Sequence, residues 1–280
     1  MIVRNRRLWI GIGTATLAGA AVVSSAAAQE QKQPDHSGHG HAKSEPGNAN
    51  ILAAPQAGEA YLTDGGPKDT RIRIYRDIAL MRGHLLVGDE LIRQGRWDDA
   101  IVHFLHPAEE LYGVMERYIK LHRVTPFDRE LKAQAEAVKA KRMGAYEQNA
   151  KVVQQRLTSA LEKFKTFMSP PLSSYTVRTV NEVLKVAALE YDAAIEDGKI
   201  VNPMEYQDAR GFIWTAEALY DDVSKDLKKI DANKLAEIGS IISKMKEAFP
   251  TAVPPQAPVM DSETLSAHAS RIEELSSVFW

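Results

Sequence analysis

The chain has 280 residues, 44% hydrophobic and 26% charged, with a formal net charge of −2 and no cysteine. This composition excludes a disulfide scaffold and thiolate chemistry, and the missing basic surplus speaks against nucleic acid as a partner. A metal site in such a chain has to be built from His, carboxylate, Met or Tyr.

The N-terminal stretch has its own pattern. Arg4, Arg6 and Arg7 carry charge with no acid beside them, Leu8–Val23 is apolar and rich in small residues, and Ala26-Ala27-Ala28 offers a small-residue cleavage site. This is the layout of a secretory signal peptide over 1–28, exported to the periplasm. Gly and Ala dominate where an anchor would carry Leu, Ile and Phe, which favours a cleaved leader. Arg6-Arg7 also resembles a twin-arginine signal, but a plain basic n-region explains it and general secretion is the expected route. Losing three arginines and no acid takes the balance from −2 to −5.

Residues 29–60 read as a disordered linker with few large apolar residues. The linker contains DHSGHGH, whose His36, His39 and His41 are spaced to gather a transition metal ion weakly. Helical periodicity begins at Thr70 and continues over a bundle domain at 61–250. Ile74, Ile78, Met81, Leu85 and Ile92 form the first stripe, which Gly95 ends, and Asp98-Asp99 suits the first turn of a second helix to about His122. A long helical stretch follows over Asp128–Met168, with Gly144 as a candidate break. Ser173–Glu196 is the next helix, stopped by Asp197-Gly198. Asn202-Pro203-Met204-Glu205 combines an N-cap, a proline at the first helical position and a candidate reciprocal cap. Lys234–Phe249 follows, and 251–280 reads as a Pro-rich linker with a short helix from about Ser262 to Phe279. No strand pattern competes. The expected fold is all-α, an antiparallel helical bundle of about six to seven helices built from αα-hairpins.

The chemistry concentrates in Met81–Tyr112. His84 lies 11 residues before Gly95 and His106 lies 10 after Arg96, so the two are level in a closed antiparallel hairpin. Glu109 follows His106 by three residues and Glu110 follows His103 by seven, which keeps them near the histidines on a helix surface. His84, His103, His106, Glu109 and Glu110 are therefore the candidate ligands for Fe, Zn or Cu. Two readings of His84 stay open: a ligand turned toward His106 and the glutamates, or a core histidine with a backbone partner. Pro107 disturbs the helical phase between the candidates.

Two resemblances bear on this reading. In Met81–Pro107, Gly88, Gly95, Trp97, Ala100, Ile101 and Phe104 resemble one tetratricopeptide repeat, whose small residues let two helices approach closely. Glu190–Arg210, with Tyr191, Asp197-Gly198, Lys199-Ile200 and Glu205-Tyr206, resembles the exported helical region attached to bacterial high-affinity iron permeases. The transport motif of that family, Arg-Glu-x-x-Glu, is absent, so permease activity is not implied. The resemblance implies a periplasmic helical module in iron handling.

The chain contains no nucleophile elbow, phosphate-binding glycine loop or His-Glu-x-x-His, so no enzyme is expected. The first expectation is a periplasmic accessory factor that binds or handles a transition metal, with no organic cofactor and a membrane transporter or periplasmic protein as partner. The second is a non-catalytic interaction scaffold that docks a partner near Trp97 and Trp214.

Overall fold

The computed structural model describes residues 66–280. The expected leader and His36, His39 and His41 lie outside the described residues. Helices make up nearly all the regular structure: α1 (Thr70–Arg93), α2 (Trp97–Ala100), α3 (Val102–His106), a π-helical turn (Pro107–Leu111), α4 (Tyr112–Leu121), α5 (Asp128–Lys139), α6 (Met143–Lys165), α7 (Leu172–Ala193), α8 (Pro203–Leu227), α9 (Ala232–Glu247) and α10 (Ser262–Ser276). The fold is an all-α helical bundle. No helix among the described residues is long and apolar enough to cross a membrane.

α1 is the central element. Asp69 caps it, its side chain accepting from the Arg71 amide at 2.9 Å. Buried residues occur all around its circumference, from Ile72 to Ile92. A helix buried on every side lies inside the domain, with other helices around it. Here α7 and α8 lie on one side and α2, α3 and α6 on the others. α7, α8, α9 and α10 contact one another in a closed ring. The expected C-terminal linker and helix are part of that ring, since Ala252, Leu265, Ile272, Leu275 and Phe279 are all buried.

Turn chemistry explains where the elements depart from the sequence reading. The break in the long helical stretch falls at Lys141, which has φ 52°, and Gly144 sits inside the first turn of α6. α7 stops at Ala193 before Asp197-Gly198 is reached. Those two residues, at φ 50° and 69°, instead close a small antiparallel hairpin of β1 (Ile195–Glu196) and β2 (Lys199–Ile200). Two successive positive φ values are what a two-residue hairpin turn requires, and an Asp-Gly pair supplies them at low cost. The hairpin turns the chain back so that α8 returns along α7. Asn202 precedes α8 without accepting a capping bond, and its Nδ2 donates to Glu205 Oε1 at 3.3 Å instead.

α8 and α1 are held together by two devices. The first is a glycine crossing. A Cβ on Gly211 would overlap the carbonyl oxygen of Gly83, and a Cβ on Gly83 would lie 2.5 Å from Phe212 Cδ1. Only glycine on both helices lets the backbones approach this closely. The second is Arg210, whose Nε and Nη2 donate to the two carboxylate oxygens of Glu90, each at 3.0 Å, while Nη1 donates to the Phe249 carbonyl at 2.6 Å. Its guanidinium also lies 4.0 Å from the centroid of the Trp214 ring. Such a bidentate pair is directional as well as charged. Arg210→Ala should cost about 2 kcal/mol, below the roughly 3–5 kcal/mol for breaking a fully buried pair, because Glu90 is partly solvated. A denaturant titration reads this, and an unchanged midpoint would show that the clamp adds nothing.

Candidate metal centre

Three histidines from two parts of the chain meet one carboxylate. His84 stands on α1 beside Gly83, His103 and His106 stand three residues apart on α3, and Asp208 stands on α8 one turn before Gly211. The glycine crossing therefore sets the His84–Asp208 distance. Gly88 sets the approach of α3 in the same way: an added Cβ there would lie 2.6 Å from Phe104 Cε2 and 3.3 Å from His103 Cβ.

Asp208 is the hub. Its Oδ1 accepts from His84 Nδ1 at 2.7 Å and from His103 Nδ1 at 2.8 Å, and its Oδ2 lies 3.7 Å from His106 Nδ1. His103 Nε2 donates to Gln207 Oε1 at 2.8 Å, so both of its ring nitrogens face oxygen. All four residues are buried, His84 being the most accessible at 7%. The edge of the Phe212 ring packs on His84 with centroids 4.9 Å apart, and the His84 and His106 rings lie 5.2 Å apart edge to face.

The electrostatics follow from this geometry. Burial alone would raise the Asp208 carboxyl pKa, but the charges and hydrogen bonds of His84 and His103 hold it far below the usual carboxylate range. For His103, burial opposes the charged form, and Asp208, Gln207 and Glu205 together outweigh it and raise the imidazole's pKa. The sign of the stability effect differs for the two groups. The lowered carboxyl contributes stability above about pH 3.9, lost as pH falls through its folded value. The raised imidazole contributes fully below about pH 6.5 and loses its contribution as pH rises through its folded value. Thermal unfolding measured from pH 4 to 9 should show a plateau on the acid side of neutrality and a decline above it. Stability that rises steadily to pH 9 would contradict the His103–Asp208 pairing.

Of the sequence-predicted ligands, His84, His103 and His106 come together. Glu109 does not join them, which corrects the expectation of a His106-x-x-Glu109 pair. Glu109 is exposed and Glu110 half-buried. The reason is the π-helical turn, in which the Tyr112 amide reaches back to the Pro107 carbonyl. The wider turn absorbs the proline and lets His106 and Leu111, five residues apart, both face inward, leaving Glu109 outside. His84 has a side-chain partner from α8, so neither the glutamates nor a backbone carbonyl plays that part. Trp97 and Trp214 are half-buried and engaged internally, Trp97 against Tyr146 and Trp214 against Arg210 and Lys246.

Sequence reasoning missed Asp208 and Gln207. A signal was present, because Asp208 lies four residues before Phe212 and so shares the apolar face of its helix. An acid on such a face has to find a partner.

One ligand atom each from His84, His106 and Asp208 lies within 4.8 Å of the others. Donors around a tetrahedral ion held at about 2.1 Å stand about 3.4 Å apart. The His106–Asp208 separation is already close to that, and the His84–Asp208 contact needs only to lengthen as an ion replaces the shared proton. His103 would stay outside, its Nδ1 orienting the carboxylate. Chemically, this is a buried two-imidazole, one-carboxylate centre at a helix crossing in an all-α bundle.

Residues 173–279 match the family model of the iron permease-associated 4-helix bundle domain. The resemblance read from Glu190–Arg210 thus holds from the start of α7 to the last turn, over the four helices that form the closed ring. No curated protein and no solved structure matches the chain. Asp208 belongs to the matched segment, and the three histidines precede it.

Proposed function

We propose that this protein is a periplasmic accessory factor that holds a transition metal ion, iron, copper or zinc, at His84, His106 and Asp208, and passes it to or from a membrane transporter. The observation that carries the reading is the convergence of three histidines on one buried carboxylate. Ionisable groups are seldom buried without a task or a strong partner, and a neutral-imidazole and carboxylate set is an ordinary transition-metal donor set. The match to an iron permease-associated domain supports iron as cargo and a transporter as partner. Periplasmic location rests on the N-terminal export pattern, and His36, His39 and His41 would then act as a loose capture segment ahead of the buried centre.

Metal analysis of protein purified from its native compartment tests this reading. About one transition-metal equivalent per chain is expected, lost when His84 and His106 are both replaced by alanine. Metal-free protein that binds Fe, Cu and Zn no better than that double variant in calorimetry would remove the proposal.

A further inference from the structure

We infer that the His84/His106/Asp208 centre accepts first-row metal ions in the divalent state and rejects ferric iron. The inference rests on the metal reading of this site and concerns the charge that the pocket can hold.

The three donors bring one negative charge, that of Asp208, and two neutral imidazole nitrogens. The carboxylate is further occupied by His103, whose Nδ1–H lies 2.8 Å from Oδ1 and draws charge away from any ion. A divalent ion in this set leaves a residual charge of +1 and a trivalent ion leaves +2. The cost of burying charge grows with its square, so the ferric site would be roughly four times as costly to desolvate. Hard trivalent ions offset that cost with several anionic oxygens, and the neighbouring candidates are committed elsewhere. Glu90 is paired in both oxygens with Arg210. The Tyr206 hydroxyl donates to the Thr251 carbonyl, and the Tyr146 hydroxyl donates to Asp89. Glu205 is buried and accepts from Asn202 Nδ2 at 3.3 Å. The Phe212 ring, packed edge-on against His84, is an apolar neighbour that does nothing to neutralise a third positive charge.

The same balance has a redox consequence. A site that binds ferrous iron more tightly than ferric iron stabilises the reduced ion against oxidation. The centre is thus suited to keeping iron in its more soluble, exchangeable state during hand-over.

The experiment uses the full chain with His36, His39 and His41 replaced by alanine, so that only the buried centre is read. Fe(II) under anaerobic conditions, Zn(II) as a redox-inert divalent control, and Fe(III)–nitrilotriacetate are titrated separately. The expected result is one equivalent of Fe(II) and of Zn(II), with Fe(III) at least about a hundredfold weaker. Asp208→Asn and His106→Ala, each checked for retained helix by circular dichroism, should both lose the divalent ions. Fe(III) binding within about tenfold of Fe(II) would overturn the divalent inference while the metal reading stands. Divalent binding that is absent, or untouched in both variants, would overturn the metal reading and this inference with it.

Discussion

Replacing Asp208 with alanine is expected to lower stability by about 3–5 kcal/mol, the typical loss when one partner of a buried charged cluster is removed and the others stay behind. His84 and His103 both give their Nδ1 hydrogen bond to Asp208 Oδ1, and His103 has its pKa raised chiefly by that carboxylate. Without it, His84 is left against the Phe212 ring and His103 keeps only its bond to Gln207. For a domain of this size the loss corresponds to a fall in Tm of about 6–20 °C. Asp208→Asn keeps the shape and one acceptor oxygen, so its loss should be nearer 1–3 kcal/mol. The asparagine variant should also flatten the decline in stability above neutrality, because the group that held the His103 proton is gone. Thermal unfolding of both variants at pH 6 and pH 8 reads these effects. A loss below about 1 kcal/mol for the alanine variant would mean that the carboxylate is not the hub of the cluster.

Gly211→Ala should be comparably damaging although it adds a single methyl group. That methyl would sit on the Gly83 carbonyl oxygen, which is backbone and cannot rotate away. α1 and α8 must separate, at a cost of about 3 kcal/mol from overpacking, with a fall in Tm of about 6–12 °C. The same shift moves His84 away from Asp208, so metal affinity should fall along with stability. Gly239, inside α9, is the control, because a Cβ there meets nothing within 4 Å. Gly239→Ala should stabilise by about 0.5–1 kcal/mol through helix propensity alone. If the two substitutions behave alike, the close crossing does not control the site.

Much of the fold was legible because its signals are local. The 3–4 periodicity of Ile74, Ile78, Met81 and Leu85 marked α1, and Asn202-Pro203 marked the start of α8. The remaining differences arose where one signal has two outcomes. Asp197-Gly198 can end a helix or close a hairpin, and the positive φ at both residues shows that it closes a hairpin. Pro107 can break a helix, but here it is carried inside a continuous one by a π-helical turn, and that turn places Glu109 outside the centre.

By itself, the sequence determined the class of this protein: an all-α bundle without thiol chemistry, with histidines at 84 and 106 level across a turn and a segment at Glu190–Arg210 that resembles the region attached to iron permeases. These properties depend on spacing along the chain, which periodicity and turn chemistry expose directly. Only the tertiary structure decided what the histidines face. Asp208 is 124 residues from His84 in sequence. It reaches His84 because two glycines on different helices allow a backbone crossing that no local pattern encodes. Burial then acts on the assembled group, holding one carboxylate ionised among three imidazoles, and those pKa shifts exist only once α8 has closed over α1 and α3.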